Sequence, residues 1–134
     1  HLVVVGRDAR SVASLCPGIA FTALGSVSPD EMPLVYAAAD VFVTPSLEDN
    51  LPNTIAEAMS VGTPCVGFRT GGIPEMITHL TSGYVAEQCN AADLASGIGY
   101  VLCHPLREAA ARQAARDYNE GRVAERYISI YESL

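Results

Sequence analysis

The 134-residue sequence contains no lysine and no tryptophan, and its net charge is −7, so all eight of its basic residues are arginines. A chain this acidic offers no basic face to a phosphate backbone, which makes a nucleic-acid binder a poor interpretation. No apolar run approaches the roughly eighteen residues of a membrane span, and the first residues are typical of a strand rather than a signal peptide. A small anionic ligand is not excluded, because backbone amides bind phosphate without net positive charge.

The cysteines and histidines show no metal-binding pattern. Cys16, Cys65, Cys89 and Cys103 form no C-x-x-C pair, and the three histidines are scattered. These spacings argue against a structural zinc site, and we expect no metal. They predict buried or half-buried thiols in a reducing cytosol, and therefore a cytoplasmic protein.

The sequence does contain short β-rich runs that alternate with helical stretches. Strands are predicted at residues 2–5, 19–24, 41–44, 65–68 and 83–86, and helices from Ser28 to about residue 39, from Pro52 or Asn53 to Val61, from Pro74, and through most of the chain after residue 90. This order predicts an α/β, Rossmann-like three-layer α/β/α fold with a mostly parallel sheet of about five strands. Ligands of such sheets bind beyond the carboxyl ends of the strands.

One loop at that edge has the composition of a ligand site. The stretch SLEDNLPNTIAEAMSVGTP, residues 46–64, places Glu48, Asp49 and Asn50 behind a strand, and Glu57 on the helix that follows. The first amides of a helix have no internal partner and its dipole favours negative charge, so they can bind a phosphate or a sugar oxygen. A carboxylate can accept hydrogen bonds from a ribose diol or a sugar ring. The alternative is an ordinary helix cap followed by a solvated helix face.

The same stretch resembles a known signature. The run DNLPNTIAEAM at residues 49–59, followed by GTPCV at 62–66, resembles the motif of group 1 (family 4) glycosyltransferases, retaining enzymes of the GT-B fold. In that motif an acid is followed by seven residues and a Glu that leads into EAM..G.P.V. The resemblance continues through GGIPE at 71–75, GYV at 83–85, LGSV at 24–27 and YAAADVF at 36–42, and it covers the chain to about residue 104.

The resemblance implies a role for each matching residue. Glu57 matches the acid that holds the ribose hydroxyls of the nucleotide, and Asp49 matches the catalytic-site acid that contacts the donor sugar. The family usually has Glu at the first acid, so Glu48 is the alternative to Asp49. The other implied donor-binding positions are Asn50, Leu51, Pro52, Asn53 and Thr54 in the loop and helix start, Val27 and Ser28 toward the base, and Gly6, Arg7, Gly71 and Gly72 in neighbouring loops.

Two departures from the family pattern affect these expectations. Leu-Pro-Asn replaces the usual glycine-rich stretch, and Pro52 has no amide to offer the sugar. The family also places an Arg and a Lys after the first strand of this domain, whereas this chain has no Lys. Gly6-Arg7 stands at the spacing of the second strand, so Arg7 is either a sheet-edge residue or a phosphate contact. Gly71-Gly72 either holds the backbone close to a ligand or simply turns the chain.

The implied domain is therefore a partial one. Residues 1–134 are expected to be a single nucleotide-sugar-binding domain, the C-terminal half of a GT-B fold, truncated at its N-terminal edge and lacking the acceptor-binding domain. The first strand and its helix are expected to have been left out, and the fragment alone is expected to be inactive.

The implied function is transfer of a sugar from a UDP- or GDP-sugar to an acceptor hydroxyl, in polysaccharide or glycolipid biosynthesis, without a metal or other cofactor. The expected partners are the donor and, through the missing domain, an acceptor glycan or glycolipid, with peripheral membrane association of the intact enzyme left open. The alternatives are a GT-B nucleotide-sugar epimerase and a non-enzymatic nucleotide-binding module. A dinucleotide oxidoreductase is least favoured, because GRDAR at residues 6–10 lacks the second and third glycines of that fingerprint.

Overall fold

The computed structural model of the chain describes the backbone of residues 1–134 and the side chains of residues 1–12 and 14–134. The chain divides into two units, His1–Leu34 and Val35–Leu134. Strands alternate with helices in both units, as the sequence predicts. None of the helices among the described residues combines the length and the apolar character needed to cross a membrane.

The His1–Leu34 unit contains a two-stranded parallel sheet. Strand β1 (Leu2–Val5) pairs with β2 (Phe21–Gly25), and the short helix α1 (Ala9–Val12) lies between them in the chain. β1 has the predicted bounds, whereas β2 begins and ends later than the predicted 19–24. The pairing is parallel, in keeping with the uninterrupted apolar run of β1.

Helix α2 corrects one prediction, because it begins at Met32 rather than at Ser28 and spans Met32–Ala38. Ser28 still stabilises the turn that leads into the helix, since its amide and hydroxyl donate to the Glu31 carboxylate at 3.3 and 2.6 Å. These two hydrogen bonds lower the pKa of Glu31. The late start follows from Pro33, which has no amide to donate to the carbonyl four residues earlier.

The Val35–Leu134 unit contains a three-stranded parallel sheet. Its strands are β3 (Phe42–Thr44), β4 (Cys65–Phe68) and β5 (Gly83–Ala86), with β4 in the middle. β4 and β5 have the predicted bounds, and β3 begins one residue later than predicted. Every residue of β4 is buried, as expected for an apolar strand covered on both faces.

Five helices accompany this sheet, in the segments where the sequence predicts helices, and the second begins at Ile73 rather than at Pro74. Asn90 caps the third of them through a 3.0 Å bond from the Asp93 amide, and Asn119 caps the last through a 3.2 Å bond from the Arg122 amide. The last helix buries none of its residues. The helices are α3 (Asn53–Ser60), α4 (Ile73–Met76), α5 (Ala91–Cys103), α6 (Arg107–Asp117) and α7 (Glu120–Glu132).

The predicted fold class is confirmed in strand number and strand direction. All five predicted strands are present, and every strand pair is parallel. Hydrogen-bond ladders divide them into sheets of two and three strands, where the sequence predicted one sheet of about five. An apolar strand pattern gives the number of strands and favours parallel pairing, but it does not state which strand edges pair.

The four cysteines are free and differ in exposure. Cys65 is fully buried on β4, and burial raises the pKa of its thiol. Cys16 is half-buried, as predicted. Cys89 and Cys103 are exposed, which corrects the expectation of buried or half-buried thiols, because one lies in the turn after β5 and the other is the last residue of α5.

Candidate functional site

The loop that joins β3 to α3, residues 45–52, is named here the acidic loop. It leaves the buried Thr44 at the carboxyl end of β3, where the Thr44 and Ser46 hydroxyl oxygens lie 3.1 Å apart. Two side chains from the loops after β4 and β5 hold its backbone, since the Leu47 carbonyl accepts from Thr70 Oγ1 and from Gln88 Nε2, both at 3.0 Å. The loop is thus anchored by its two neighbouring loops.

A pair of glycines packs against the same loop. The Gly72 amide donates to the Asn50 carbonyl at 2.6 Å. Gly71 has a φ of +49°, and a Cβ atom there would overlap the carbonyl oxygen of Asp49. A Cβ on Gly72 would overlap the Asn50 carbonyl in the same way. The structure therefore shows a close approach of Gly71 and Gly72 to the backbone of the acidic loop, a contact that neither of the two alternatives drawn from the sequence names.

The start of α3 carries no capping side chain. Pro52 occupies the N-cap position with φ −66° and ψ 113°, and its side chain makes no capping hydrogen bond. Asp49 and Asn50 are therefore not the helix caps that the ordinary interpretation of this sequence predicts. The amides of Asn53 and Thr54 open the helix, and both residues are exposed. An uncapped helix start of this kind can accept an anion or a polar oxygen.

The two candidate first acids differ in burial. Asp49 is half-buried, and Glu48 is exposed. Among the described residues, no hydrogen-bond donor contacts the carboxylate oxygens of either acid. Because Asp49 is the one whose carbonyl contacts the glycine pair, its backbone is the more constrained of the two.

Glu57 lies on the second turn of α3 with an exposed side chain. Its Oε2 accepts a hydrogen bond from the hydroxyl of Tyr36 at 3.0 Å. Tyr36 is only 4% exposed, and burial raises the pKa of its phenol, with a further contribution from the Glu57 carboxylate. Sequence reasoning missed this tyrosine. The available signal was a tyrosine on a short helix, because a buried phenol normally needs a hydrogen-bond partner.

The remaining predicted residues lie in the His1–Leu34 unit, behind the carboxyl ends of its two strands. Gly6 follows β1 with a φ of +125°, and its amide donates to the Gly25 carbonyl at 2.7 Å. Arg7 is exposed. Val27 is half-buried and Ser28 is engaged with Glu31 in the turn described above. The acids, the acidic loop and the glycine pair all lie in the Val35–Leu134 unit.

The arrangement of side chains also bears on metal binding. Among the described residues, no group of three or more His, Cys, Asp or Glu side chains is placed to hold a metal ion. The chemistry that the acidic loop can perform by itself is hydrogen bonding, with carboxylate acceptors beside backbone donors.

Comparison with known families identifies this arrangement. Residues 1–104 match the family model described as glycosyl transferases group 1, which is more than half of the chain. The chain belongs to the group 1 glycosyl transferases. This confirms the resemblance drawn from the DNLPNTIAEAM run, and the match ends at the residue to which that resemblance was traced.

Two curated members of the group 1 family illustrate the likeness. The sulfoquinovosyl transferase SQD2 of Arabidopsis thaliana is 38% identical over 89 residues, which cover 66% of this chain and 18% of that protein. The 2-deoxystreptamine glucosyltransferase of Streptomyces kanamyceticus is 32% identical over 98 residues, covering 73% of this chain and 25% of that protein. The chain thus spans about a quarter or less of the length of these relatives.

A solved structure supports the fold. HepE of Anabaena in complex with UDP superposes with a TM-score of 0.82 at 19% identity, over 98% of this chain and 40% of that one. At this identity the likeness concerns the fold alone. The chain has the α/β architecture of GT-B glycosyltransferases, as the group 1 motif implies.

Proposed function

We propose that this chain is the donor-binding part of a glycosyltransferase that takes a sugar from a UDP- or GDP-sugar and passes it to an acceptor hydroxyl. The observation that carries the proposal is the acidic loop, which follows a parallel strand, enters α3 without a capping side chain, and is followed by the exposed Glu57. Membership of the group 1 family supports it, since the members are glycosyl transferases.

Each part of the loop has a proposed partner on the donor. The amides of Asn53 and Thr54, two exposed residues, receive the diphosphate or a sugar oxygen, because the start of a helix favours negative charge. Asp49 accepts hydrogen bonds from the sugar, with Glu48 as its alternative. Glu57 accepts from the two neighbouring hydroxyls of the ribose, a pairing that suits a carboxylate with two acceptor oxygens.

The nucleotide that we propose to test first is UDP. The HepE structure holds UDP, and another structure of HepE holds UDP and glucose, with a TM-score of 0.76 to this chain. These ligands belong to HepE, and they support a uridine donor here only by likeness of fold. GDP is the alternative, because the contacts proposed for the acidic loop and Glu57 are with the sugar, the diphosphate and the ribose, which UDP and GDP donors share.

The proposed reaction retains the configuration of the sugar. The bond between the anomeric carbon and the diphosphate oxygen breaks, and the acceptor oxygen bonds to that carbon on the same face. The acceptor proton passes to the leaving diphosphate, so no metal or other cofactor takes part. The contribution of the chain is then to position the donor and to stabilise charge, which are the larger parts of catalysis in such a step.

We propose that the complete enzyme is longer than this chain. The curated relatives are several times longer, so the acceptor, a glycan or glycolipid, would be bound by a part of the protein outside residues 1–134. We propose a role in polysaccharide or glycolipid biosynthesis in the cytoplasm.

An amide NMR titration with UDP, GDP and ADP tests the donor-binding role. One diphosphate is expected to shift the amides of the acidic loop and those of Asn53 and Thr54. The Glu57→Ala variant should bind it about five- to tenfold more weakly, because a hydrogen bond to a charged group contributes about 1.5–3 kcal/mol, part of which water replaces.

The matched control is Glu108→Ala, which removes an exposed helix glutamate whose ion pair is with Arg112. It should leave the titration unchanged. If none of the three nucleotides perturbs the acidic loop at millimolar concentration, the donor-binding role is wrong for this chain.

A further inference from the structure

The hydroxyl of Tyr36 is held in place by contacts at both ends of the residue. Its ring packs edge-to-face against Phe42, with ring centroids 5.4 Å apart. Its carbonyl accepts a 2.6 Å hydrogen bond from the hydroxyl of Thr63, which is fully buried. A tyrosine fixed at both ring and backbone presents its hydroxyl at a defined point, and that point is Glu57 Oε2.

The partner of this fixed hydroxyl is an exposed side chain. Glu57 is exposed, and a glutamate loses about 1.5–2 kcal/mol of rotamer freedom when it is ordered. A hydroxyl that already donates a hydrogen bond to one Glu57 oxygen removes part of this entropy loss before a ligand binds, which is preorganisation. We infer that Tyr36 is a positioning residue that orients Glu57 to receive the ribose diol of a nucleoside diphosphate, an inference that rests on the proposed donor-binding role.

A second tyrosine–carboxylate pair in the same unit differs from the Tyr36–Glu57 pair. Tyr84 donates to Asp93 Oδ1 at 2.8 Å, and the Glu87 amide donates to Asp93 Oδ2 at 2.7 Å. Both oxygens of Asp93 are therefore used by the protein itself. In the described structure Tyr36 engages Oε2 of Glu57 and Oε1 has no protein donor, so Glu57 keeps one oxygen without a protein donor, whereas Asp93 keeps none.

A neutral phenol is chemically suited to this role. It donates a hydrogen bond without neutralising the carboxylate, so Glu57 keeps the charge that strengthens its bonds to hydroxyl groups. Burial and the nearby carboxylate both raise the pKa of Tyr36, so the phenol stays protonated and donating throughout the physiological range. An arginine in the same place would compete with the ligand for both oxygens.

The test compares ribose and 2′,3′-dideoxyribose ligands on the 134-residue chain by NMR titration. The ligand is the preferred diphosphate and its 2′,3′-dideoxy analogue. Tyr36→Phe should weaken binding of the ribose form about three- to tenfold, as expected for one lost hydrogen bond, and change binding of the dideoxy form by less than about twofold. In the Glu57→Ala background the same substitution should have no further effect. Tyr84→Phe is the matched control and should leave both affinities unchanged.

The outcomes distinguish a failure of the positioning role of Tyr36 from a failure of the proposed donor-binding role. Failure of the wild-type chain to bind any nucleotide overturns both. Binding that Tyr36→Phe weakens equally for ribose and dideoxy ligands, or weakens further without Glu57, overturns the positioning role alone. If Tyr36→Phe does not fold, 3-fluorotyrosine at position 36 keeps the ring and strengthens the donor. Ribose discrimination should then rise, and an unchanged ratio would overturn the role.

Discussion

Gly71→Ala is a substitution for which the structure predicts a large local effect on the acidic loop. The residue has a φ of +49°, a conformation that costs an L-residue about 1–2 kcal/mol. The new Cβ would also overlap the Asp49 carbonyl, so the loop must move away from the glycine pair. That movement breaks the 2.6 Å bond from the Gly72 amide to the Asn50 carbonyl, which contributes about 0.5–1.5 kcal/mol.

Together these effects predict a loss of about 1.5–3.5 kcal/mol in the free energy of unfolding. Urea denaturation measures that loss, and amide spectra should place the chemical-shift changes in the acidic loop and at residues 70–73. Gly99→Ala is the control, because a Cβ on this α5 residue meets no atom within 4 Å. That substitution should stabilise the chain by up to about 1 kcal/mol. A Gly71→Ala variant within about 0.5 kcal/mol of wild type would refute the packing argument.

Two further predictions concern stability away from the acidic loop. Arg107→Ala should cost about 1–2 kcal/mol in urea denaturation, because the guanidinium donates to two carbonyls at the end of α2 at 2.8 and 3.1 Å. Arg112→Ala, which removes an exposed ion pair, should cost about 0.5 kcal/mol or less, and equal losses in the two variants would contradict this. Hydrogen bonds from the Glu87 amide and from Tyr84 lower the pKa of Asp93 in the folded state. The stabilisation that the Asp93 carboxylate gives the fold is therefore present above its unfolded-state pKa of about 4, and it is lost as the pH falls through its lower folded-state pKa. Urea midpoints from pH 6 to pH 2 should therefore fall less steeply in Asp93→Asn than in wild type, and parallel curves would contradict the assignment.

Much of the fold could be predicted because the apolar runs that indicate strands in the sequence agree with the burial of those strands in the structure. β4 and β5 read as continuous apolar runs between breakers, and their bounds match the prediction to the residue. Helix α2 could not be placed as well, because the Ser28–Glu31 pair is a genuine start signal that Pro33 then delays. The helix-start signal at Ser28 and Glu31 conflicts with the lack of an amide on Pro33, and the missing amide decides where the helix begins.

Only those parts of the candidate site whose residues are adjacent in the sequence could be predicted. The acidic loop and the carboxylate at position 57 follow from a strand, a turn and a helix that are adjacent in sequence. The contact between Tyr36 and Glu57 joins residues 21 positions apart, and the glycine pair meets Asp49 across a comparable span. Such contacts depend on how β3 and β4 bring separate segments together, and no local pattern in the sequence encodes them.

The burial of Cys65 gives the chain an internal reporter of its own opening. The thiol is fully buried on the middle strand of the three-stranded sheet, while Cys89 and Cys103 are exposed. A thiol reagent can modify the exposed pair in the native state, but it reaches Cys65 only after β4 separates from its neighbours. The alkylation rate of this single cysteine thus follows the population of the opened sheet, residue-specifically and without denaturant.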